Sequence, residues 1–200
     1  MLKFILLILS YLLGSIPFGF LIAYLVKKID IRNFGSGNIG ATNVVRVVGK
    51  KWGILVFVLD FLKGMLAPCL IAYFAPDASN FIIILGAVLS VCGHNWTVFL
   101  NFKGGKGVST SLGAVAGLSF VFPQLWITLL ISLVVWVLVF RISKYVSIAS
   151  LLAAATLFIS CLIFSLPGEI KVFSFLVFVF IVLRHKKNIQ SLLAKRENRF

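Results

Sequence analysis

Four stretches of this chain, Phe4 to Val26, Trp52 to Phe74, Phe81 to Leu100 and Val146 to Leu166, are long and predominantly apolar. A helix needs about 20 such residues to cross roughly 30 Å of hydrocarbon, so each stretch predicts a membrane span. Composition agrees. At 61% hydrophobic residues and a mean hydropathy of +1.12, a water-soluble domain could not clothe its surface in polar side chains. The first run is too long for a signal-peptide core and no small-residue cleavage site follows it, so it is expected to stay in the membrane.

Between Lys106 and Arg141 lies an uncharged stretch broken by Pro123. We divide it into two short spans, Val108 to Phe122 and Pro123 to Phe140. A last run, Val172 to Leu183, is shorter still. The expectation is therefore an all-α, polytopic membrane protein with seven transmembrane helices, forming a single domain over residues 1–200. Of 19 Lys and Arg, sixteen fall in the segments 27–51, 101–107, 141–145 and 184–200; only Lys3 and Lys171 fall on the other side, and Lys63 lies within a span. Positive charge collects on the cytoplasmic side. The N-terminus is thus predicted outside and the C-terminus in the cytoplasm.

Five acidic residues leave a net charge of +14, which asks for anionic partners such as lipid headgroups, phosphorylated substrates or nucleic acid. Cys69, Cys92 and Cys161 lie in apolar runs without the spacing of a disulfide framework or zinc site, and read as small hydrophobes. Residues 35–40, GSGNIG, match the dinucleotide-binding fingerprint, and Asp60 follows at the expected distance. That fingerprint needs a buried strand before it and a helix after it in a βαβ unit. Here it follows KKIDIRNF in a loop between membrane helices, so the nucleotide reading fails.

Three polar clusters then share the predicted cytoplasmic face. In GSGNIGATN and Arg46, glycines including Gly37 can expose backbone amides as an anion nest. Ser36, Asn38, Thr42 and Asn43 add side-chain donors, and Arg46 can clamp a phosphate bidentately. In FKGGKG, Lys103 and Lys106 with Gly104 and Gly105 precede a predicted helix N-terminus, where charge, amides and dipole favour phosphate. In RHKKN, a continued helix would set Arg184, His185 and Asn188 on neighbouring parts of one face. Taken singly, the first two also admit a solvated glycine turn and a topogenic basic turn, and the third is read better as a juxtamembrane anchor. Span lengths shift the balance: Val172 to Leu183 covers only about 18 Å, so either Lys171 snorkels outward or Arg184 and His185 are drawn below the cytoplasmic surface. Val108 to Phe122, at about 22 Å, pulls FKGGKG the same way, toward a basic pocket in the inner leaflet.

Asp60 and Lys63 sit at i,i+3 inside a span, where an unpaired charge costs about 2.5 to 3.5 kcal/mol. They should pair, either structurally or in support of the pocket. His94 and Asn95 in GHNW read as a hydrogen-bonded helix end, and Ser147 in YVSIAS as an extra donor. Scattered acids supply no carboxylate cluster for a divalent ion. Neither His94 nor His185 has Asp five residues on, those positions being Phe99 and Gln190. An anionic, already activated substrate suits such a chain, with catalysis by positioning and electrostatics.

GSGNIGATN, the Asp60–Gly64 stretch DFLKG, GHNW, FKGGKGV, YVSIAS, RHKKNI and RENRF together resemble the bacterial acyl-phosphate:glycerol-3-phosphate acyltransferases, along the whole chain. The resemblance implies acyl transfer from acyl phosphate to the 1-hydroxyl of glycerol 3-phosphate, giving lysophosphatidic acid and phosphate, with no cofactor and no metal. It implies a multi-pass protein of the bacterial plasma membrane with its site facing the cytoplasm; a monomer among membrane lipids is our own expectation. By position, Ser36, Asn38, Thr42, Arg46, Lys103, Gly104 and Gly105 would hold phosphates, while Ser147, His185 and Asn188 would complete the pocket. With no dyad, a substrate phosphate would take the hydroxyl proton; His185 is the rival base. A transporter of a phosphorylated solute would instead place polar groups at the midplane. Nucleic-acid binding lacks an aromatic stacking platform.

Overall fold

The computed structural model describes residues 1–199, and among these no strand occurs. The chain forms two compact units, 1–118 and from Ser119 onward. The first holds α1 (Leu2–Ser15), α2 (Phe18–Lys27), α3 (Ala41–Val47), α4 (Lys50–Phe74), α5 (Asn80–Asn95) and most of α6 (Val108–Ser119). The second holds α7 (Leu125–Ser143), α8 (Val146–Ile163), α9 (Gly168–Arg184) and α10 (Lys186–Leu193). Four helical stretches are long and apolar enough to cross a membrane, Lys50–Phe74, Asn80–Leu100, Leu125–Ser143 and Val146–Ile163. Counted together as one span, the bent pair α1 and α2 also passes this test.

The first span is not the continuous helix expected over Phe4 to Val26. It breaks at Ile16 and Pro17 with a 40° bend. Proline has no N–H to donate and its ring pushes the preceding residue out of the α region; Ile16 accordingly adopts ψ 116°. Neighbouring helices take up the carbonyls at the break. Thr97 Oγ1 donates to Ser15 O at 2.5 Å, and Lys63 Nζ in α4 donates to Ile16 O at 2.7 Å. Lys63 also pairs with Asp60 Oδ1 at 2.8 Å, and both side chains are almost wholly buried. Small residues let the helices close in: Gly93 of α5 lies against the Tyr11 carbonyl of α1, where any Cβ would collide.

Within the second unit, Lys144 in the left-handed conformation turns α7 into α8, and Trp136 Nε1 donates to Ser150 Oγ across the pair at 3.2 Å. Phe158 of α8 packs on Phe175 and Phe178 of α9. α9 has 17 residues, about 25 Å at 1.5 Å per residue, because Pro167 starts it ahead of the apolar run and Glu169 sits in its first turn. The shortness inferred from Val172 to Leu183 is thereby corrected. The helix also does not continue through RHKKN: it ends at Arg184, and His185 separates it from α10. α3 is a further difference, a helix over Ala41–Val47 where the sequence reads as loop.

Lys63→Met strands the Asp60 carboxylate, so it should lower stability by about 3–5 kcal/mol, whereas Thr97→Val, which removes one neutral hydrogen bond, should cost about 1 kcal/mol. Unfolding temperatures in detergent would check this ordering; equal, small shifts for the two variants would contradict it.

Candidate active site

The loop before α3 is organised from within. Asn43 is buried, its Nδ2 donating to Phe34 O at 3.0 Å and Asn38 O at 2.9 Å, while its Oδ1 accepts from the Ser36 amide at 2.9 Å. Gly37 N–H donates to Phe34 O and Gly40 N–H to Asn38 Oδ1. Gly35 and Gly37 adopt φ of 60° and 70°, which their lack of Cβ permits. Of the amides expected to form an anion nest, those of Ser36, Gly37 and Gly40 are engaged inside the loop. Asn43 is likewise its internal organiser, with both ends of its amide engaged, and not an outward donor. What the loop presents outward is side chains, with Ser36 and Arg46 exposed and Asn38 and Thr42 half-buried. Just ahead, Asp30 caps a short turn and pairs with Arg32 at 2.6 Å; that guanidinium holds its carboxyl below the usual carboxylate range.

FKGGKG is laid on the end of α5. Gly104 N–H donates to Asn95 O at 3.2 Å and Gly105 N–H to His94 O at 3.0 Å. A Cβ on Gly104 would collide with the His94 carbonyl, and one on Gly105 with His94 Nε2. These two glycines serve close approach, and their amides, expected to bind phosphate, are directed at the protein. Lys103 is exposed and Lys106 half-buried. Both polar loops rest on one apolar cluster of Ile22, Ala23, Ile31, Ile39, Val44, Val56 and Leu100. The first unit thus carries Ser36, Thr42, Arg46, Lys103 and Lys106 over a common floor.

The second unit holds the remaining candidates. His185 is 2% exposed, and its Nδ1 lies 2.8 Å from Ile181 O. A carbonyl only accepts, so the proton belongs on Nδ1 and Nε2 carries the lone pair of the neutral ring. Ser147, at the start of α8, is buried with no hydrogen-bond partner for its hydroxyl among the described residues. Asn188 Nδ2 donates to Glu197 Oε1 at 2.5 Å. Arg199 Nε donates to Tyr145 OH at 3.2 Å, with its guanidinium over the Tyr145 ring. The chain end therefore touches both α10 and the residue ahead of α8. Glu197 was missed as a functional candidate; a single acid within the basic tail KRENRF was its signal.

A buried ion pair, small-residue helix packing and cationic loops at helix ends define a helical integral membrane protein with basic loops. Comparison with known proteins gives the family. Residues 4–195 match the glycerol-3-phosphate acyltransferase family model. The chain is 45% identical over 195 residues to the glycerol-3-phosphate acyltransferase of Aquifex aeolicus, covering 98% of this chain and 97% of the relative. It is 44% identical over 190 residues to that of Desulforamulus reducens, covering 94% and 90%. Among solved structures it is similar to PlsY, an integral membrane glycerol 3-phosphate acyltransferase. The match to that protein's glycerol 3-phosphate form has a TM-score of 0.91 at 42% identity, covering 100% of this chain and 96% of the other. The match to its lysophosphatidic acid form has a TM-score of 0.88 at 41% identity. This chain belongs to the glycerol-3-phosphate acyltransferase family, the integral membrane acyltransferases of phospholipid biosynthesis.

Asn43→Ala should loosen the first loop at a cost of about 1–3 kcal/mol. Asn43→Asp should do no better, since it keeps the acceptor for Ser36 but loses the donors to Phe34 and Asn38. Amide exchange at Ser36 and Gly37 is the measurement, and wild-type protection in Asn43→Asp would refute the assignment.

Proposed function

We propose that the protein transfers a fatty acyl group from acyl phosphate to the 1-hydroxyl of glycerol 3-phosphate, releasing lysophosphatidic acid and phosphate. The observation that carries this reading is the family match over residues 4–195, which contains GSGNIGATN, FKGGKG and RHKKN entire. The glycerol 3-phosphate and lysophosphatidic acid forms of PlsY support the acceptor and the product. An acyl phosphate donor fits the chemistry of the site, because a phosphate leaving group is already activated and needs only stabilisation of developing negative charge.

In this reading Ser36, Asn38, Thr42, Arg46, Lys103 and Lys106 hold phosphate through their side chains. Gly37, Asn43, Gly104 and Gly105 shape the two loops. The hydroxyl oxygen bonds to the acyl carbon, the bond from that carbon to the phosphate oxygen breaks, and the hydroxyl proton passes to a phosphate oxygen. Ser147 and Asn188 supply further hydrogen bonds to substrate. The Nδ1 contact with Ile181 favours a second reading at one step, since it leaves His185 Nε2 as the ring's proton acceptor.

The seven passes proposed are the bent α1 and α2 pair, α4, α5, α6, α7, α8 and α9, with the N-terminus outside and the C-terminus in the cytoplasm. The asymmetry of Lys and Arg supports that orientation. The reading is of a monomeric, single-domain enzyme of the bacterial plasma membrane, its site open to the cytoplasm and in need of no cofactor.

Purified protein in detergent, given acyl phosphate and glycerol 3-phosphate, should release phosphate only when both are present; a transporter would release none. Arg46→Ala should lower kcat/KM by about 10²-fold or more, against less than about twofold for exposed Lys50→Ala. Equal, small effects would contradict the role of Arg46. His185→Gln should keep turnover within about tenfold if phosphate takes the proton. A loss of about 10²–10⁴ with KM unchanged assigns the base to His185.

A further inference from the structure

The buried charges Asp60 and Lys63 lie outside the machinery above, yet a matched apolar pair would be cheaper to bury. The Pro17 break explains Lys63, whose Nζ donates to Ile16 O. Asp60 does more than neutralise that lysine. His94 Nδ1 faces the same Asp60 Oδ1 at 3.5 Å, an ion-pair-range contact outside hydrogen-bond geometry, and both groups are almost wholly buried. His94 is in turn the surface on which FKGGKG is laid: its carbonyl accepts the Gly105 amide, and its Nε2 lies so close to Gly105 that no Cβ fits between. The loop reaches this contact through a tight reversal, with Asn101 and Phe102 at φ 52° and 59° and the Phe102 amide donating to Thr97 O at 2.8 Å. A rotation of the His94 ring would move Gly105, and with it the lysines on either side.

We propose that Asp60 is a positioning residue, which by holding the His94 ring sets the placement of Gly104 and Gly105 and so the aim of Lys103 and Lys106. As a statement about substrate it rests on the acyltransferase reading; as a statement about the loop it does not. Displacement of a binding group by about 1 Å is worth up to about 10²-fold in rate, so a static support can control a reaction it never touches.

Two neutral double variants isolate the contact. Asp60→Asn/Lys63→Gln keeps a polar oxygen facing His94 Nδ1, and Asp60→Leu/Lys63→Gln removes it; both carry the same residue opposite Ile16 O and neither buries a charge. Amide exchange at Gly104 and Gly105 and the KM for glycerol 3-phosphate are measured in both, beside the unfolding temperature in detergent. The Leu variant should exchange these amides about tenfold faster and raise KM about tenfold, while the Asn variant stays within about threefold of the parent in both. Equal exchange in the two variants would overturn the proposal. So would faster exchange in the Leu variant accompanied by the same acceleration throughout α4 and α5, which marks general loosening. Should the parent show no acyl transfer while exchange still separates the variants, the acyltransferase reading fails and the positioning role stands. His94→Leu in the parent should reproduce the Leu variant's exchange, and parental exchange there would equally overturn it.

Discussion

Lys63 places an ammonium group inside a membrane helix, and much of the first unit is arranged so that it can be there. Its charge is met by Asp60 one turn earlier and by the Ile16 carbonyl that Pro17 exposes in the neighbouring span. Each feature is costly alone. A proline break leaves carbonyls without intrahelical donors, and an isolated charge in hydrocarbon has no solvent. Together they satisfy one another, and Thr97 closes the remaining carbonyl from the end of α5. The bend, the α4 charges and the α5 terminus are therefore one interlocked object, and the FKGGKG loop is built upon it.

The two glycine-rich segments show how a loop can be rigid without regular structure. In GSGNIGATN the rigidity comes from one buried amide, Asn43, gathering carbonyls and an N–H from five to twelve residues away in the chain. In FKGGKG it comes from backbone pairing to His94 and Asn95. The amides of Ser36, Gly37 and Gly40 in one loop and of Lys103, Gly104 and Gly105 in the other are engaged within the protein, while Ser36, Arg46 and Lys103 are exposed. The scaffold beneath those side chains is thereby held in place. In the second unit the same economy holds: His185 is oriented by a carbonyl one turn back, and Asn188 by Glu197.

Hydropathy located the long helices because burial in lipid demands an apolar side chain on every face over a fixed length. α4 and α8 therefore begin within two residues of the expected positions. Where length is set by caps instead of apolarity, helix and hydropathy part: α9 begins at Gly168 because Pro167 and Glu169 favour a helix start, though Lys171 interrupts the apolar run. Pro17 was visible in the sequence but its consequence was not, since proline within a membrane helix either kinks or is accommodated according to its neighbours. α3 was hidden by the very glycines that drew attention to its segment.

Residue type and order determined by themselves that the chain is helical, lies in a membrane, and carries cationic loops suited to an anion. These are properties of composition and spacing, which solvent and bilayer read directly. Only tertiary structure decided which polar groups in those loops look outward. Asn43 resembles its neighbours Asn38 and Thr42 as a donor, and Gly104 resembles any flexible glycine, until the carbonyls of Phe34, Asn38, His94 and Asn95 are seen to claim them. A hydrogen-bonding group has limited capacity, and whether protein or substrate fills it depends on atoms distant in sequence that folding brings within 3 Å or so.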